Sequence, residues 1–170
     1  MDLTLRILSP SRQSGRLEAG GRALPCALGR AGLSRRRREG GGATPRGAWP
    51  LRCVFYRPDR LPRPVSRLPV NALRPGDGWC DEPGDPMYNR PVRLPYPASA
   101  EALWREDGLY DLILVPGIND NPVIRGRGSA LFIHIAREGL RPTEGCIALA
   151  REDLRRLLPR LGPESRLIIP

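Results

Sequence analysis

The chain has 170 residues, of which 40% are hydrophobic, so one domain of ordinary size can bury a core without metal or disulfide crosslinks. Its formal net charge is +10 and every basic residue is arginine, but aromatic residues make up only 5%, too few for a base-stacking surface. No apolar run approaches the roughly 18 residues of a membrane-spanning helix, and the cysteines form no Cys-x-x-Cys pair of the kind that binds zinc.

A single domain over residues 1–170 is therefore expected, monomeric, with no metal or cofactor and no membrane partner. Nucleic acid is not an expected partner either, because a basic surface can equally attract substrates rich in carboxylates. In a reducing compartment the four cysteines, Cys26, Cys53, Cys80 and Cys146, are expected to be free thiols.

Residues 1–8 alternate apolar and polar side chains, which predicts a strand that ends at Ser9 and Pro10. The segment has no basic stretch followed by a long apolar run, so it is not expected to be a signal peptide. We therefore expect a cytoplasmic location. The expectation becomes periplasmic if the start of the chain is truncated.

Apolar alternation and turn residues predict further short strands along the chain. The predicted strands are residues 23–28, 49–56, 109–115 and 166–169. Residues 57–97 contain ten prolines, which exclude long regular elements and predict an extended segment across the surface. Cys26 and Cys53 fall within strands and are interpreted as core residues, and Cys80 as part of loop packing.

Two segments show helical spacing of their apolar residues. Ala100, Leu103 and Trp104 predict a short helix within residues 99–107. The second predicted helix begins near Arg151 and is closed by Pro159 and Gly162. Its apolar face consists of Leu154, Leu157, Leu158 and Leu161.

Residues 128–149 contain the only histidine of the chain, His134, and a cysteine twelve positions later, Cys146. The histidine lies in an alternating run that predicts a strand. Leu131, Ile133 and Ile135 would face one side of that strand, and Phe132 and His134 the other.

Cys146 follows a polar turn and a glycine, Gly145, that allows close backbone packing. Two short strands joined by this turn can bring the His134 imidazole within hydrogen-bond reach of the sulfur. A cysteine nucleophile needs such a neighbour, because a free thiol is only a few per cent thiolate near neutral pH.

The segment Thr143-Glu144-Gly145-Cys146, with His134 on the preceding strand, resembles the catalytic signature of the L,D-transpeptidase (YkuD-like) family. The usual family motif is His-Gly-Cys, which adds a second histidine directly before the glycine. In this chain Glu144 occupies that position. A compact branch of the family shares the short spacing and three further blocks. These are residues 38–45, Tyr110 with Asp111, and residues 126–130.

The resemblance implies a mainly β fold, a curved mixed sheet or sandwich of about eight short strands with one or two short helices. It also implies acyl transfer on peptidoglycan stem peptides. Cys146 would attack the carbonyl of the L-centre at position three and expel the terminal D-amino acid, and His134 would move the proton. Backbone N–H groups of Gly145 and Cys146 would stabilise the oxyanion.

Substrate contacts are assigned on the same resemblance. Arg125 and Arg127, on the loop before the histidine strand, are candidates for binding substrate carboxylates. The remaining candidate substrate-binding residues are Asn89, Tyr110, Thr143 and Glu144. Glu144 is expected at the cleft rim, and a backbone carbonyl is the expected orienting partner of His134.

Two alternative functions stay open at this point. One is a cytoplasmic L,D-carboxypeptidase of muropeptide recycling, in which water replaces the amine acceptor. The other is a non-enzymatic basic β-rich binding module in which His134 and Cys146 merely pack. A pH-dependent alkylation focused on Cys146 would distinguish the enzymes from the binding module.

Overall fold

The computed structural model describes residues 1–7 and 13–170, so the predicted strand break at Ser9 and Pro10 lies outside the described residues. The described residues form fourteen strands and one α-helix, α1 (Arg151–Leu157). The strands are β1 (Leu3–Ile7), β2 (Ser14–Ala19), β3 (Arg22–Ala27), β4 (Leu33–Ser34), β5 (Thr44–Pro45), β6 (Gly47–Tyr56), β7 (Val70–Ala72), β8 (Asp77–Cys80), β9 (Pro91–Arg93), β10 (Ala100–Ala102), β11 (Leu112–Pro116), β12 (Ile133–Ile135), β13 (Ile147–Leu149) and β14 (Arg166–Ile169). Two 3₁₀ turns, Glu138–Leu140 and Leu158–Arg160, complete the regular structure.

Nine strands form one mixed sheet in the order β11-β12-β13-β3-β2-β1-β14-β6-β7, and β6 also pairs with β11. That last pairing closes eight of the strands into a ring, with β7 attached outside it beside β6. The pairs β1–β14 and β12–β13 are parallel and the other contacts within the ring are antiparallel. The mainly β, mixed-sheet fold with one short helix is therefore confirmed.

The main core is built from alternate residues of the ring strands. In β1, Leu3 and Leu5 are fully buried, whereas Thr4 is half-buried and Arg6 exposed. Ring residues such as Ile133 and Ile147 belong to the same cluster. The apolar face predicted for the C-terminal helix joins this core, and α1 with the 3₁₀ turn after it buries Leu154, Leu157, Leu158 and Leu161.

A second apolar cluster covers the other face of the ring at β11 and β12. It contains Ile113, Val115, Phe132, Tyr110 and Cys146. The Trp79 side chain of β8 packs against it from the small sheet β10-β8-β9, which the proline-rich segment supplies in large part. The region beside Cys146 is therefore sandwiched between the ring and this second layer.

The helix predicted over residues 99–107 is wrong. Ala100–Ala102 forms β10, which pairs with Gly78–Cys80 of β8, and turns follow it. Leu103 is buried, and the Trp104 ring lies 3.7 Å under the Arg57 guanidinium. Three residues with helical spacing pack equally well from an extended segment when a partner strand satisfies its backbone groups.

The three cysteines interpreted as packing residues lie in different layers of the fold. Cys26 is fully buried in the main core, and Cys80 is fully buried in β8. Cys53 is only half-buried and packs against the second cluster. Across residues 1–7 and 13–170, no helix has the length and apolarity to span a bilayer, and no cluster of side chains suits a metal ion.

Candidate active site

His134 projects from the outer face of the ring. Its neighbours in β12, Ile133 and Ile135, are buried in the main core, so the alternation predicted for these three residues is confirmed. Leu131 departs from the prediction: it is half-buried and lines a cleft instead. The strand begins only at Ile133, because Ala130 adopts φ +48° and interrupts the extended backbone before it.

Cys146 immediately precedes β13, which runs parallel to β12 with Ile147 opposite Ile133. The Ile147 amide donates to the Phe132 carbonyl at 3.0 Å, and the Phe132 amide donates to the Cys146 sulfur at 3.3 Å. Parallel pairing thus places the sulfur beside the residue that precedes the histidine strand. The connecting segment returns the chain to start β13 in the direction of β12.

A cleft of about 1280 Å³ contains both residues in its lining. Its walls come from the glycine-rich loop at residues 39–43, the loop before β12, and the segment from Arg141 to Cys146. Of the four cysteines, all within the described residues, Cys146 alone lines this cleft. Position in the cleft therefore distinguishes Cys146 from the other cysteines. Burial does not, because Cys26 and Cys80 are buried as well.

The loop before Cys146 is fixed by its own hydrogen bonds. The Thr143 hydroxyl donates to the Cys146 carbonyl at 2.6 Å and accepts from the Gly145 amide at 3.2 Å. Gly145 adopts φ +129°, and a Cβ there would lie 2.9 Å from Leu131 Cδ2 and 3.1 Å from the Ala43 carbonyl oxygen. Only glycine fits this conformation and this space without strain.

The two site residues rest in neutral forms. His134 Nδ1 shares a 2.9 Å hydrogen bond with the Ile135 carbonyl, which places the proton on Nδ1 and leaves Nε2 free to accept. Burial lowers the pKa of His134 to about 4. Burial, followed by the charge of Glu101, raises the pKa of Cys146 to about 12.

The thiol does not donate to the imidazole in this state. Its S–H points to the Ala130 carbonyl at 3.3 Å. The direct hydrogen bond expected from the sequence is therefore replaced by one to the backbone. The expected orienting partner of His134, a backbone carbonyl, is present in Ile135.

The family model of the L,D-transpeptidase catalytic domain (YkuD) matches residues 8–169. The chain belongs to this family. Comparison with curated proteins and with solved structures gives no match. Members of the YkuD family are cysteine-dependent enzymes that act on peptidoglycan, so the domain carries an L,D-transpeptidase-type activity toward peptidoglycan.

Within this YkuD domain, four of the six residues predicted to bind substrate line the cleft: Tyr110, Arg127, Thr143 and Glu144. Tyr110 is buried with its ring against His134, and Arg127 is exposed. Glu144 lies at the rim, where its carboxylate pairs with Arg30 at 2.7 Å and both side chains remain largely exposed. Thr143 uses its hydroxyl to fix the loop.

Two residues predicted to contact the substrate, Arg125 and Asn89, lie outside the cleft lining. Arg125 is exposed and lies outside the cleft lining. Asn89 is buried and also outside it, because its amide group joins three parts of the chain. It donates to the Ile118 and Asn119 carbonyls and accepts from the Trp79 indole and the Ala130 amide. Asn89 thereby braces the loop that holds the cysteine's hydrogen-bond acceptor.

Several cleft residues of this YkuD domain were missed. Glu101 and Arg105 lie in the segment predicted as a helix, and Arg36 to Arg38 lead into the glycine-rich loop. The charged lining comprises seven arginines (Arg36, Arg37, Arg38, Arg105, Arg127, Arg137, Arg141) and four acids (Glu39, Asp81, Glu101, Glu144). Their sequence positions carry no common signal, since the fold alone brings them together.

Proposed function

We propose that Cys146 is the nucleophile of an acyl transfer on peptidoglycan stem peptides. The sulfur attacks the carbonyl of the L-centre of the diamino acid at position three and forms a thioester, and the terminal D-amino acid leaves. The observation that carries the proposal is the position of Cys146, the one cysteine in the cleft, where His134 also faces.

His134 acts as general base and then as general acid. Because thiol and imidazole both rest neutral, attack and proton transfer are coupled, and no preformed ion pair is needed. The S–H turns from the Ala130 carbonyl toward Nε2, which accepts the proton as the sulfur–carbon bond forms. The same proton is donated to the departing amine when the carbon–nitrogen bond breaks.

The oxyanion is stabilised chiefly by the Cys146 amide. Among the described residues this N–H has no acceptor, whereas the Gly145 amide is already bonded to Thr143. A preorganised backbone donor of this kind contributes ~3 kcal/mol to the transition state. Gly145 contributes by allowing the close backbone approach.

Carboxylates of the substrate are bound by the arginine-rich lining of the cleft. The lining has seven arginines against four acidic residues, so its field is positive. Arg127 is the predicted contact that lies there, and Arg137 and Arg141 join it from the segment between β12 and the cysteine segment.

The thioester is resolved by an amine acceptor or by water. An amine gives a cross-linked or exchanged product, and water gives L,D-carboxypeptidase action, the outcome that suits soluble muropeptides in a cytoplasmic protein. Incubation with a disaccharide tetrapeptide, followed by mass spectrometry, separates the two. Tripeptide alone indicates hydrolysis, and a dimer or exchanged D-amino acid indicates transfer.

Cys146→Ala is expected to abolish product formation while the thermal unfolding midpoint stays close to that of the parent chain. His134→Gln should lower the rate by ~10²–10⁴, the usual contribution of a general base. Cys53→Ala is the matched control, because Cys53 is half-buried and outside the cleft. Retained turnover in Cys146→Ala, or its loss in Cys53→Ala alone, would overturn the assignment.

A further inference from the structure

Glu39 is a half-buried carboxylate in the cleft lining that two hydroxyl groups hold in place. The Tyr88 phenol donates to Oε2 of Glu39, and the Ser129 hydroxyl donates to the same oxygen at 2.7 Å. The phenol oxygen in turn accepts the Gly128 amide at 3.0 Å, which directs the phenol proton toward Glu39. Tyr88 and Ser129 are buried, so the position of the carboxylate is fixed from behind.

The segment that holds Glu39 also holds the thiol of Cys146. Ser129 donates to the carboxylate, and the carbonyl of the next residue, Ala130, accepts the S–H at 3.3 Å. Glu39 and Cys146 both line the cleft. Because their anchors are adjacent in the chain, a ligand bonded to the sulfur brings its own nearby groups within reach of the carboxylate.

Glu39 has no counter-ion of its own within residues 1–7 and 13–170. Seven arginines line the same cleft, yet none of them forms an ion pair with it, whereas Glu144 at the rim is paired with Arg30. An ionised carboxylate offers about four lone-pair sites. The two hydroxyls fill two of them, and the Gly40 amide, 3.3 Å from Oε1, fills a third. An acceptor site and the negative charge therefore remain for a ligand.

A second acid of the lining, Asp81, shows the same lack of a partner. Across the described residues it forms no ion pair, and its buried Oδ1 has no hydrogen-bond partner. A buried acceptor without a donor costs free energy, which a bound donor would recover. Two acids without counter-ions in an arginine-lined cleft indicate that a cationic group arrives with the ligand.

The stem peptide offers one such group close to the reacting carbonyl. Its backbone nitrogens are acylated and carry no charge, so its cation is the side-chain amine of the diamino acid at position three. The same residue supplies the carbonyl that Cys146 attacks. An ammonium at the end of a flexible carbon chain, as in lysine, is a compact charge with three donors. The cation and the scissile carbonyl thus belong to one residue, as the carboxylate and the thiol belong to one cleft.

We propose that Glu39 is a specificity-determining residue, whose carboxylate binds the side-chain ammonium of the diamino acid at position three. This role rests on the function proposed above, in which Cys146 attacks the carbonyl of that residue. The ammonium keeps its charge throughout the reaction, so the contact is equally strong in the bound substrate and in the transition state. Such a contact lowers KM and leaves kcat nearly unchanged.

Steady-state kinetics with two disaccharide tetrapeptides tests this role. One peptide carries the side-chain amine of the diamino acid, and the other has a hydrogen in its place. The parent chain should use the amine peptide with a kcat/KM about tenfold higher, through KM, as expected of a hydrogen bond between charged groups. Glu39→Gln keeps an acceptor for both hydroxyls and removes the charge. It should raise KM about tenfold for the amine peptide and leave the other peptide unaffected.

Glu18→Gln is the matched control, because it removes the same charge from an exposed ion pair with Arg6, outside the cleft lining. It should keep the parent's preference for the amine peptide. Equal slowing of both peptides in Glu39→Gln, the result of a purely structural tether, would overturn the role of Glu39. So would equal use of the two peptides by the parent chain, a comparison that needs no variant to fold. Turnover that survives Cys146→Ala would instead overturn the proposed nucleophile, which keeps the two failures distinct.

Discussion

His134 illustrates how burial decides the protonation state of a single residue. The imidazole is 6% exposed and its Nδ1 is bonded to a backbone carbonyl. Burial lowers its pKa from 6.5 to about 4, so the folded protein binds fewer protons than the unfolded chain between these values. Stability therefore rises with pH through this window, and it is lost as the pH falls.

We expect acidification from pH 6.5 to about 4 to cost the parent chain about 3 kcal/mol through His134 alone. Urea unfolding of the parent and of His134→Gln across this range measures the difference, because glutamine does not titrate. Carboxylates contribute equally to both proteins and cancel. Parallel stability curves for the two proteins would contradict the buried, neutral histidine.

At this scale the sequence predicts that His134 and Cys146 come together but not what surrounds them. The alternation predicted that His134 faces the other side of its strand from Ile133 and Ile135. The short spacing predicted that Cys146 comes within reach of His134. The position of Glu101 beside Tyr110 could not be predicted, because the two residues approach each other only through the pairing of β10 with β8. No local pattern around a glutamate encodes which strand will pair beside it.

The cysteine segment between the 3₁₀ turn and β13 depends on a glycine for its path. Gly145 and Gly139 both have positive φ, at +129° and +71°. A Cβ at Gly145 would meet Leu131 and the Ala43 carbonyl, whereas a Cβ at Gly139 would meet nothing within 4 Å. Alanine substitutions at these two glycines therefore separate the cost of the backbone conformation from the cost of a steric clash.

Gly145→Ala should therefore reduce both stability and turnover, because the loop must shift and the Cys146 sulfur shifts with it. Gly139→Ala should lose only about 1 kcal/mol from its backbone conformation and keep its turnover. Thermal unfolding and stem-peptide turnover of the two variants give the comparison. Equal turnover in both would show that the close contact of Gly145 does not position the thiol.

Element boundaries show which interactions a sequence leaves undetermined. Strand β14 was predicted residue for residue, because a short apolar run there is bounded by turn residues. The helix expected over residues 99–107 failed because inter-strand hydrogen bonds, which act across twenty residues, outweighed a weak local preference. The parallel pairing of β12 with β13 likewise depends on the ring rather than on the turn between them.

The whole molecule is strongly basic, and the excess extends into the cleft. The net charge is +10, and seven arginines face four acids along the cleft lining. A substrate with several free carboxylates should therefore be attracted through a field that salt weakens. The positive charge is expected to affect the association and binding of the substrate and not the chemical step.

Raising the ionic strength to about 1 M, where the screening length is about 3 Å, should raise KM for the stem peptide and leave kcat nearly unchanged. Steady-state kinetics over a salt series makes the measurement. A substrate whose carboxylates are amidated is the control and should respond less. A KM indifferent to salt would show that the arginines do not bind the substrate's charge.

At this largest scale the mainly β class could be anticipated, since prolines and short strand spacing exclude long helices. The closed ring could not be, because it depends on the contact between β6 and β11. The resemblance of the cysteine segment supplied the fold family that alternation alone could not.

Strand β14 lies between β1 and β6 in the ring and pairs with both. Leu3 lies opposite Leu167, so this contact joins segments from the two ends of the sequence. During synthesis β1 and β6 emerge long before β14 and keep an unsatisfied edge until it arrives. Formation of the complete ring is therefore expected to be late, on the scale of milliseconds to seconds typical of distant strand pairing.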